Sequence, residues 1–211
     1  EIVALYKGDT LIFKKSLGVY TVRGTLKPDS TVQSIQLCVN GINEQIDVNS
    51  DKTFEHTFVN IPIKNMDYFT LACKDELKTI DLSEFDTSQV KSMFELFFQC
   101  SNLTSIDLTN VDTSNVTNMG HMFYDCEKLT TLDVSKFNTS NVTNMGQMFF
   151  GCYQLSTLDV SKFNTSNVTN MNHMFSNCQK LSSLNVSNFD TSNVIGMSQM
   201  FYGNRELYNL D

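Results

Sequence analysis

Leu77, Leu103, Leu129, Leu155, Leu181 and Leu207 stand 26 residues apart, and Cys100, Cys126, Cys152 and Cys178 keep the same step. Self-similarity at this period constrains the fold more than any single residue. One 26-residue unit cannot bury its apolar side alone, so the units must stack and share one continuous core. The stretch from Leu129 to Gln154 is followed without a gap by a near copy from Leu155 to Lys180.

Each unit has two halves with different apolar spacing. In the first, Leu129, Leu132, Val134 and Phe137 are apolar, and Thr131, Asp133 and Ser135 come between them. Alternation of period two is the pattern of a half-buried strand. In the second half, Val142, Met145, Met148, Phe149 and Cys152 fall at steps of three and four. That spacing marks one face of a helix, and Thr139-Ser140-Asn141 just before it supplies residue types that cap helices. The expectation is an α/β solenoid of strand-turn-helix coils, with Met148, Phe149 and Cys152 buried.

The strand phrase L-x-x-L-x-L/V at this period is the signature of leucine-rich repeats. The longer phrase F-N/D-T-S-N-V-T-N-M-x-x-M-F-x-x-C resembles the BspA-like leucine-rich-repeat surface proteins of bacteria and some parasitic protists, over about residues 77–211. The resemblance implies an α/β leucine-rich-repeat solenoid on a secreted or surface-anchored protein that binds other molecules as an adhesin, with no enzymatic activity. One position departs from the general pattern. The place of the usual ladder Asn holds Phe137, and Asn138 follows it.

Residues 1–60 lack the repeat. Short β-rich runs dominate: Leu11–Phe13, Val19–Val22, Val32–Val39, Ile42–Val48 and Phe54–Val59. Asn40-Gly41 between two of them is a two-residue hairpin signal, and Asn49-Ser50-Asp51-Lys52 reads as a second turn. These runs predict a small β-sandwich that resembles immunoglobulin-like modules of bacterial surface proteins. Residues 61–211 form the expected solenoid, opened at 61–76 by a degenerate half-coil. There Ile63, Met66, Phe69 and Cys73 repeat the spacing of Val116, Met119, Met122 and Cys126. The alternative for Tyr68–Cys73 is a last strand of the sandwich.

Residues 1–73 carry 7 basic and 8 acidic side chains, whereas residues 74–211 carry 8 and 15. An acidic repeat surface argues against nucleic acid, which needs a basic one, and against docking on anionic lipid. No apolar run reaches the length of a membrane span, so no direct membrane insertion is expected, and the chain is read as a monomer. It begins with Glu1, and Leu207–Asp211 match only the opening of another coil, so it reads as a stretch of a longer protein. Its expected place is the cell surface or outside the cell. The regularly spaced cysteines read as a reduced, buried column rather than as disulfides or a zinc site.

Outward strand positions form columns. The middle one is Asp81, Asp107, Asp133, Asp159 and Asn185. Beside it run Thr79, Ser105, Thr131, Thr157 and Ser183, and on the other side Ser83, Thr109, Ser135, Ser161 and Ser187. The candidate binding residues are therefore Asp81, Asp107, Asp133, Asp159, Asn185, Thr131, Ser135, Thr157 and Ser161. Two readings stay open. The stripe takes cations or Lys/Arg groups of a ligand, or duplication copied a solvated Asp. Carboxylates stacked about 5 Å apart repel by about 1 kcal/mol in water and about 3 at an effective dielectric of 20, so Asp133→Asn is expected to stabilise.

No catalytic residue, metal ligand or cofactor is expected. Paired carboxylates at this spacing occur in retaining glycosidases, but near-identical coils offer no place where one acid differs from the other. His121 and His173 share a repeat position with Gln147 between them, too far apart for one metal. Three functions remain. The first is a non-enzymatic adhesion module for host or neighbouring-cell surface or matrix proteins, or glycans. The second is a spacer that displays other domains, and the third a polysaccharide-active enzyme.

Overall fold

The computed structural model describes residues 2–7, 10–16, 19–59, 63–70 and 74–211. Its strands are β1 (Ile2–Lys7), β2 (Thr10–Ser16), β3 (Val19–Leu26), β4 (Ser34–Val39), β5 (Ile42–Asp47), β6 (Thr53–Val59), β7 (Leu77–Asp81), β8 (Ser105–Asp107), β9 (Ser183–Leu184) and β10 (Asn209–Leu210). Among the described residues there is no helix. This overturns the expected α/β leucine-rich-repeat solenoid: the coils are built from short strands, isolated bridges and turns.

The expected helix, from Val142 to Cys152 and at the same place in the other coils, is a run of tight turns. Its backbone shows why. His121 and Asp125 have φ of 55° and 52°, and Gln147 and Gly151 have 55° and 69°, whereas a helix needs about −63° throughout. Alternate amides close turns: the N–H groups of Met122, Tyr124 and Cys126 donate to the carbonyls of Met119, His121 and Phe123. The amides between them leave the coil. Those of Met119, His121, Phe123 and Asp125 donate to the carbonyls of Asn144, Gly146, Met148 and Phe150 at 2.7–3.0 Å. A helix would spend these same N–H groups within its own segment. Successive turns still return every third or fourth side chain to one side. Val142, Met145, Met148, Phe149 and Cys152 are thus fully buried, although the element that buries them is not a helix.

The strand half is also shorter than the alternation implies. The Asp133 Oδ1 accepts the Ser135 N–H at 2.9 Å, and the Phe137 N–H closes a turn on the Val134 carbonyl at 3.0 Å. These local bonds end the strand after a few residues. What remains pairs in parallel between coils: Thr79, Ile80 and Asp81 with Ser105, Ile106 and Asp107, then Thr131 with Thr157, then Ser183 with Asn209.

The T-S-N phrase, expected to cap a helix, instead joins coils. The Thr139 hydroxyl donates to the Asn164 carbonyl at 2.9 Å and accepts the Asn164 N–H at 2.7 Å. Thr113 does the same with Asn138. Asn141 Nδ2 donates back to the Ser114 carbonyl. An asparagine ladder exists, but at Asn118, Asn144 and Asn170, linked at 2.9 Å, not at the Phe137–Asn138 place. In the core, Phe97, Phe123, Phe149, Phe175 and Phe201 stack with centroids 5.6–5.8 Å apart. Cys100, Cys126, Cys152 and Cys178 are free thiols.

β3 and β6 extend the strand side of the stack, and the β4–β5 hairpin extends its turn side. β4 and β5 form a hairpin closed by Asn40 and Gly41, with φ of 53° and 77°, a turn with both central residues left-handed. β6 pairs with β3, and β3 pairs antiparallel with β7 of the coil sheet. On the turn side, the Cys38 and Asn40 amides donate to the Phe69 and Asn65 carbonyls. Met66, Tyr68 and Thr70 in turn donate to Ser92, Phe94 and Leu96. Residues 63–70 therefore sit between β4 and the first full coil, with Ile63, Met66 and Phe69 buried. Residue 60, where a domain boundary is expected, and Cys73 lie outside the described residues. Gly24 faces Phe54 across the β3–β6 pair, where a Cβ would collide with the Phe54 ring.

Candidate functional site

Strand register assembles one outward face from both parts of the chain. Thr53 pairs with Thr25, Thr25 with Thr79, Thr79 with Ser105, and Thr131 with Thr157. Beside them, Glu55 pairs with Arg23, Arg23 with Asp81, and Asp81 with Asp107. The hydroxyl column expected in the coils thus continues onto β3 and β6, and the acid column meets Arg23 on β3 before Glu55 on β6. Asp107, Asp133, Asp159, Asn185, Thr131 and Thr157 are exposed, and Asp81, Ser135 and Ser161 are half-buried.

Three open grooves follow this face. One of about 470 Å3 lies where β3 and β6 meet the first coils, and is lined by Arg23, Thr25, Thr53, Glu55, Asp81 and Asp107 among others. One of about 480 Å3 is lined by Thr131, Asp133, Thr157, Asp159, Ser183 and Asn185. A smaller one between them reaches from Ser105 and Asp107 to Asp133 and Lys136. At the first groove Arg23 forks between Glu55, at 2.9 Å, and Glu84, at 2.8 Å.

Each acid of the column is held by its own coil. The Oδ1 atoms of Asp81, Asp107, Asp133 and Asp159 accept the N–H of the residue two further on, at 2.8–2.9 Å. Asn185 does the same at 3.0 Å. The Ser135 hydroxyl and N–H hold the Asp133 carboxyl below the usual range, with Lys136 and Lys162 adding to the effect. Thr109 and Ser161 act likewise on Asp107 and Asp159. The repulsion between Asp133 and Asp159 is a lesser influence than these hydrogen bonds. At Asp159 the local donors outweigh the repulsion from Asp133.

The turn side carries a second surface that sequence reasoning missed. Half-buried Phe98, Tyr124 and Phe150 stack with centroids 4.9 and 4.7 Å apart, and the Lys74 ammonium lies 5.7 Å from the Phe98 ring. His121 packs on Phe94 and Tyr124 with its Nδ1 3.3 Å from Glu95 Oε1. The signal was present in the 26-residue step of Phe98, Tyr124 and Phe150, but it lay off the supposed apolar face. Asp125 sits beside this stack. Its Oδ1 is shielded and has no hydrogen-bond partner among the described residues, a Cβ at Gly151 would collide with it, and burial with nearby Glu127 pushes its pKa up to about 6. Among the described residues no group of three His, Cys, Asp or Glu could hold a metal ion.

Comparison with known proteins gives one match. Residues 57–149 and 126–211 fit the family described as Mycoplasma protein of unknown function, DUF285. No curated protein and no solved structure matches the chain. Together the two overlapping stretches cover every coil and well over half of the sequence, and on that ground the chain belongs to the DUF285 family.

Proposed function

We propose that this protein is a non-enzymatic recognition module of the cell surface that binds protein or glycan partners through the outward strand face. The observation that carries this reading is the register that runs a hydroxyl column from β6 through β3 into the first coils, beside a charged column of Glu55, Arg23, Asp81 and Asp107, with grooves along them. A face that repeats over many strands suits an extended partner. The resemblance of the F-N/D-T-S-N-V-T-N-M phrase to BspA-like surface proteins supports adhesion and a place on the surface or outside the cell. No helix of the described residues is long and apolar enough to cross a membrane. A spacer that displays other domains is the second reading, favoured by the carboxylates' engagement with their own coils.

The test is saturable binding of the labelled protein to surface and matrix proteins and to glycans. It is run beside the double variant Asp133→Asn/Asp159→Asn and a deletion of Leu129–Lys180, which removes two whole coils. The recognition reading expects a binder whose affinity falls at least about tenfold in both variants. No saturable binder from any source, with the deletion tolerated in the full-length protein, would establish the spacer instead.

A further inference from the structure

The turn between β4 and β5 is built on Asn40-Gly41, the one Asn-Gly pair of the chain. An asparagine side chain is open to attack by the next backbone nitrogen, and most of all before glycine, which has no Cβ to shield that nitrogen. Gly41 is exposed, and a Cβ placed on it would meet nothing within 4 Å. Water and hydroxide therefore reach this turn.

The folded turn holds the reaction off. Asn40 and Gly41 have φ of 53° and 77°, so the turn is the mirror image of type I and ψ of Asn40 is about +30°. At that ψ the Gly41 nitrogen stands nearly anti to the Asn40 Cβ across the Cα–C bond, turned away from Cγ. Ring closure needs the two eclipsed, so ψ must rotate by nearly half a turn. Contacts with the half-coil resist that rotation. Asn40 Oδ1 accepts the N–H groups of Lys64 and Asn65 at 2.8 and 3.1 Å, and the Asn40 N–H donates to the Asn65 carbonyl at 3.0 Å. The same two residues hold side chain and backbone, so the rotation undoes the docking of the hairpin.

We propose that Asn40-Gly41 is a self-modification site, closed while the β4–β5 hairpin is docked on residues 64–65 and open when it lifts off. In the open form hydroxide takes the Gly41 amide proton, and the nitrogen attacks Asn40 Cγ. The N–Cγ bond forms, the Cγ–Nδ2 bond breaks, and ammonia leaves with a proton from water. Water then opens the cyclic imide at either carbonyl, giving aspartate or isoaspartate. One water is consumed and one ammonia released. Isoaspartate carries the main chain through the former side chain, which lengthens a turn that must keep Val39 paired with Ile42. The longer turn cannot hold both that pairing and the contact with Lys64 and Asn65. Each opening that reacts therefore leaves a hairpin released from the half-coil. The proposal is independent of what the strand face binds.

Peptide mapping by mass spectrometry tests this by following conversion at Asn40 in mildly alkaline buffer, in the folded protein and in the same protein unfolded in urea. Conversion is expected to be at least about tenfold slower in the folded protein, because only the open fraction reacts. Phe69→Ala removes a buried ring from the residue whose carbonyl receives the Cys38 N–H. It loosens the seat of the hairpin and should speed conversion in the folded protein at least about threefold. The isoaspartate form, separated by its added negative charge, should exchange the Cys38, Lys64 and Asn65 amides at least about tenfold faster than the parent. Conversion as fast in the folded protein as in urea overturns the proposal, and so does no conversion at Asn40 in urea. A folded Phe69→Ala protein that converts at the parent's rate overturns docking as the gate. Unchanged exchange in the isoaspartate form overturns the release. Should Phe69→Ala not fold, the ratio of folded to urea rates and the exchange of the isoaspartate form decide.

Discussion

Two aspartates of the coils have opposite surroundings and opposite consequences. Asp133 is exposed, and its carboxyl is held below the usual range by Ser135. A depressed folded pKa adds stability that is present above the unfolded value and lost as pH falls through the folded one. Asn185 keeps the same turn with a neutral side chain, accepting both the N–H and the hydroxyl of Ser187. Asp133→Asn is therefore expected to leave the melting temperature nearly unchanged at neutral pH, and not to raise it. A clear rise in thermal denaturation would restore repulsion as the dominant effect.

Asp125 is the reverse case. Its folded pKa is raised to about 6, chiefly by burial, so its ionised form is penalised. The penalty is complete above about pH 6 and absent below about pH 4, where folded and unfolded states are both protonated. Asn177 shows that an amide fits this column, with its Oδ1 set against Gly203 as Asp125 Oδ1 is set against Gly151. Asp125→Asn is expected to stabilise at pH 7–8 by about 1 kcal/mol, after discounting the shift for partial exposure. The gain should vanish near pH 4. Urea denaturation of both proteins at the two pH values checks this, and a gain independent of pH would contradict it.

At the scale of the element, the coil is held by bonds to its neighbours rather than within itself. The Thr139 hydroxyl makes two such bonds at 1% exposure. Thr139→Val keeps the shape but strands the N–H and carbonyl of Asn164, and should cost about 1–3 kcal/mol in chemical denaturation. A neutral result would mean that water replaces the hydroxyl. Spacing in the sequence identified which residues are buried, because steps of three and four hold for consecutive tight turns as well as for helices. It could not choose between them. The evidence against a helix lay in weak helix formers, such as Thr139-Ser140-Asn141, Thr143-Asn144 and Gly146, clustered where helical turns were expected. The strand columns, by contrast, were legible because alternation placed Thr131, Asp133 and Ser135 outward whatever the strand length. Their continuation onto Arg23, Thr25, Thr53 and Glu55 was not legible, since it depends on pairing between β3 and β7, 54 residues apart at Thr25–Thr79.

For the whole molecule, one core runs from Val22 to Met200, yet its coil contacts are between neighbours. Among the described residues Phe149 stacks only on Phe123 and Phe175, each 5.6 Å away. Phe149→Ala is expected to cost about 3–5 kcal/mol and to open its own and adjacent coils first. Hydrogen exchange should then rise at Met119–Asp125, Met145–Gly151 and Met171–Asn177 while β3, β6 and β7 stay protected. Uniform acceleration over the chain would show instead that the stack unfolds as one unit.

The central claim is that the second half of each coil bonds outward to the next coil rather than inward as a helix. Scalar coupling across hydrogen bonds in solution NMR reads this directly, because it names the carbonyl to which each amide donates. Couplings are predicted from the amides of Met119, His121, Phe123 and Asp125 to the carbonyls of Asn144, Gly146, Met148 and Phe150. Couplings from these amides to carbonyls four residues earlier in the chain would contradict it.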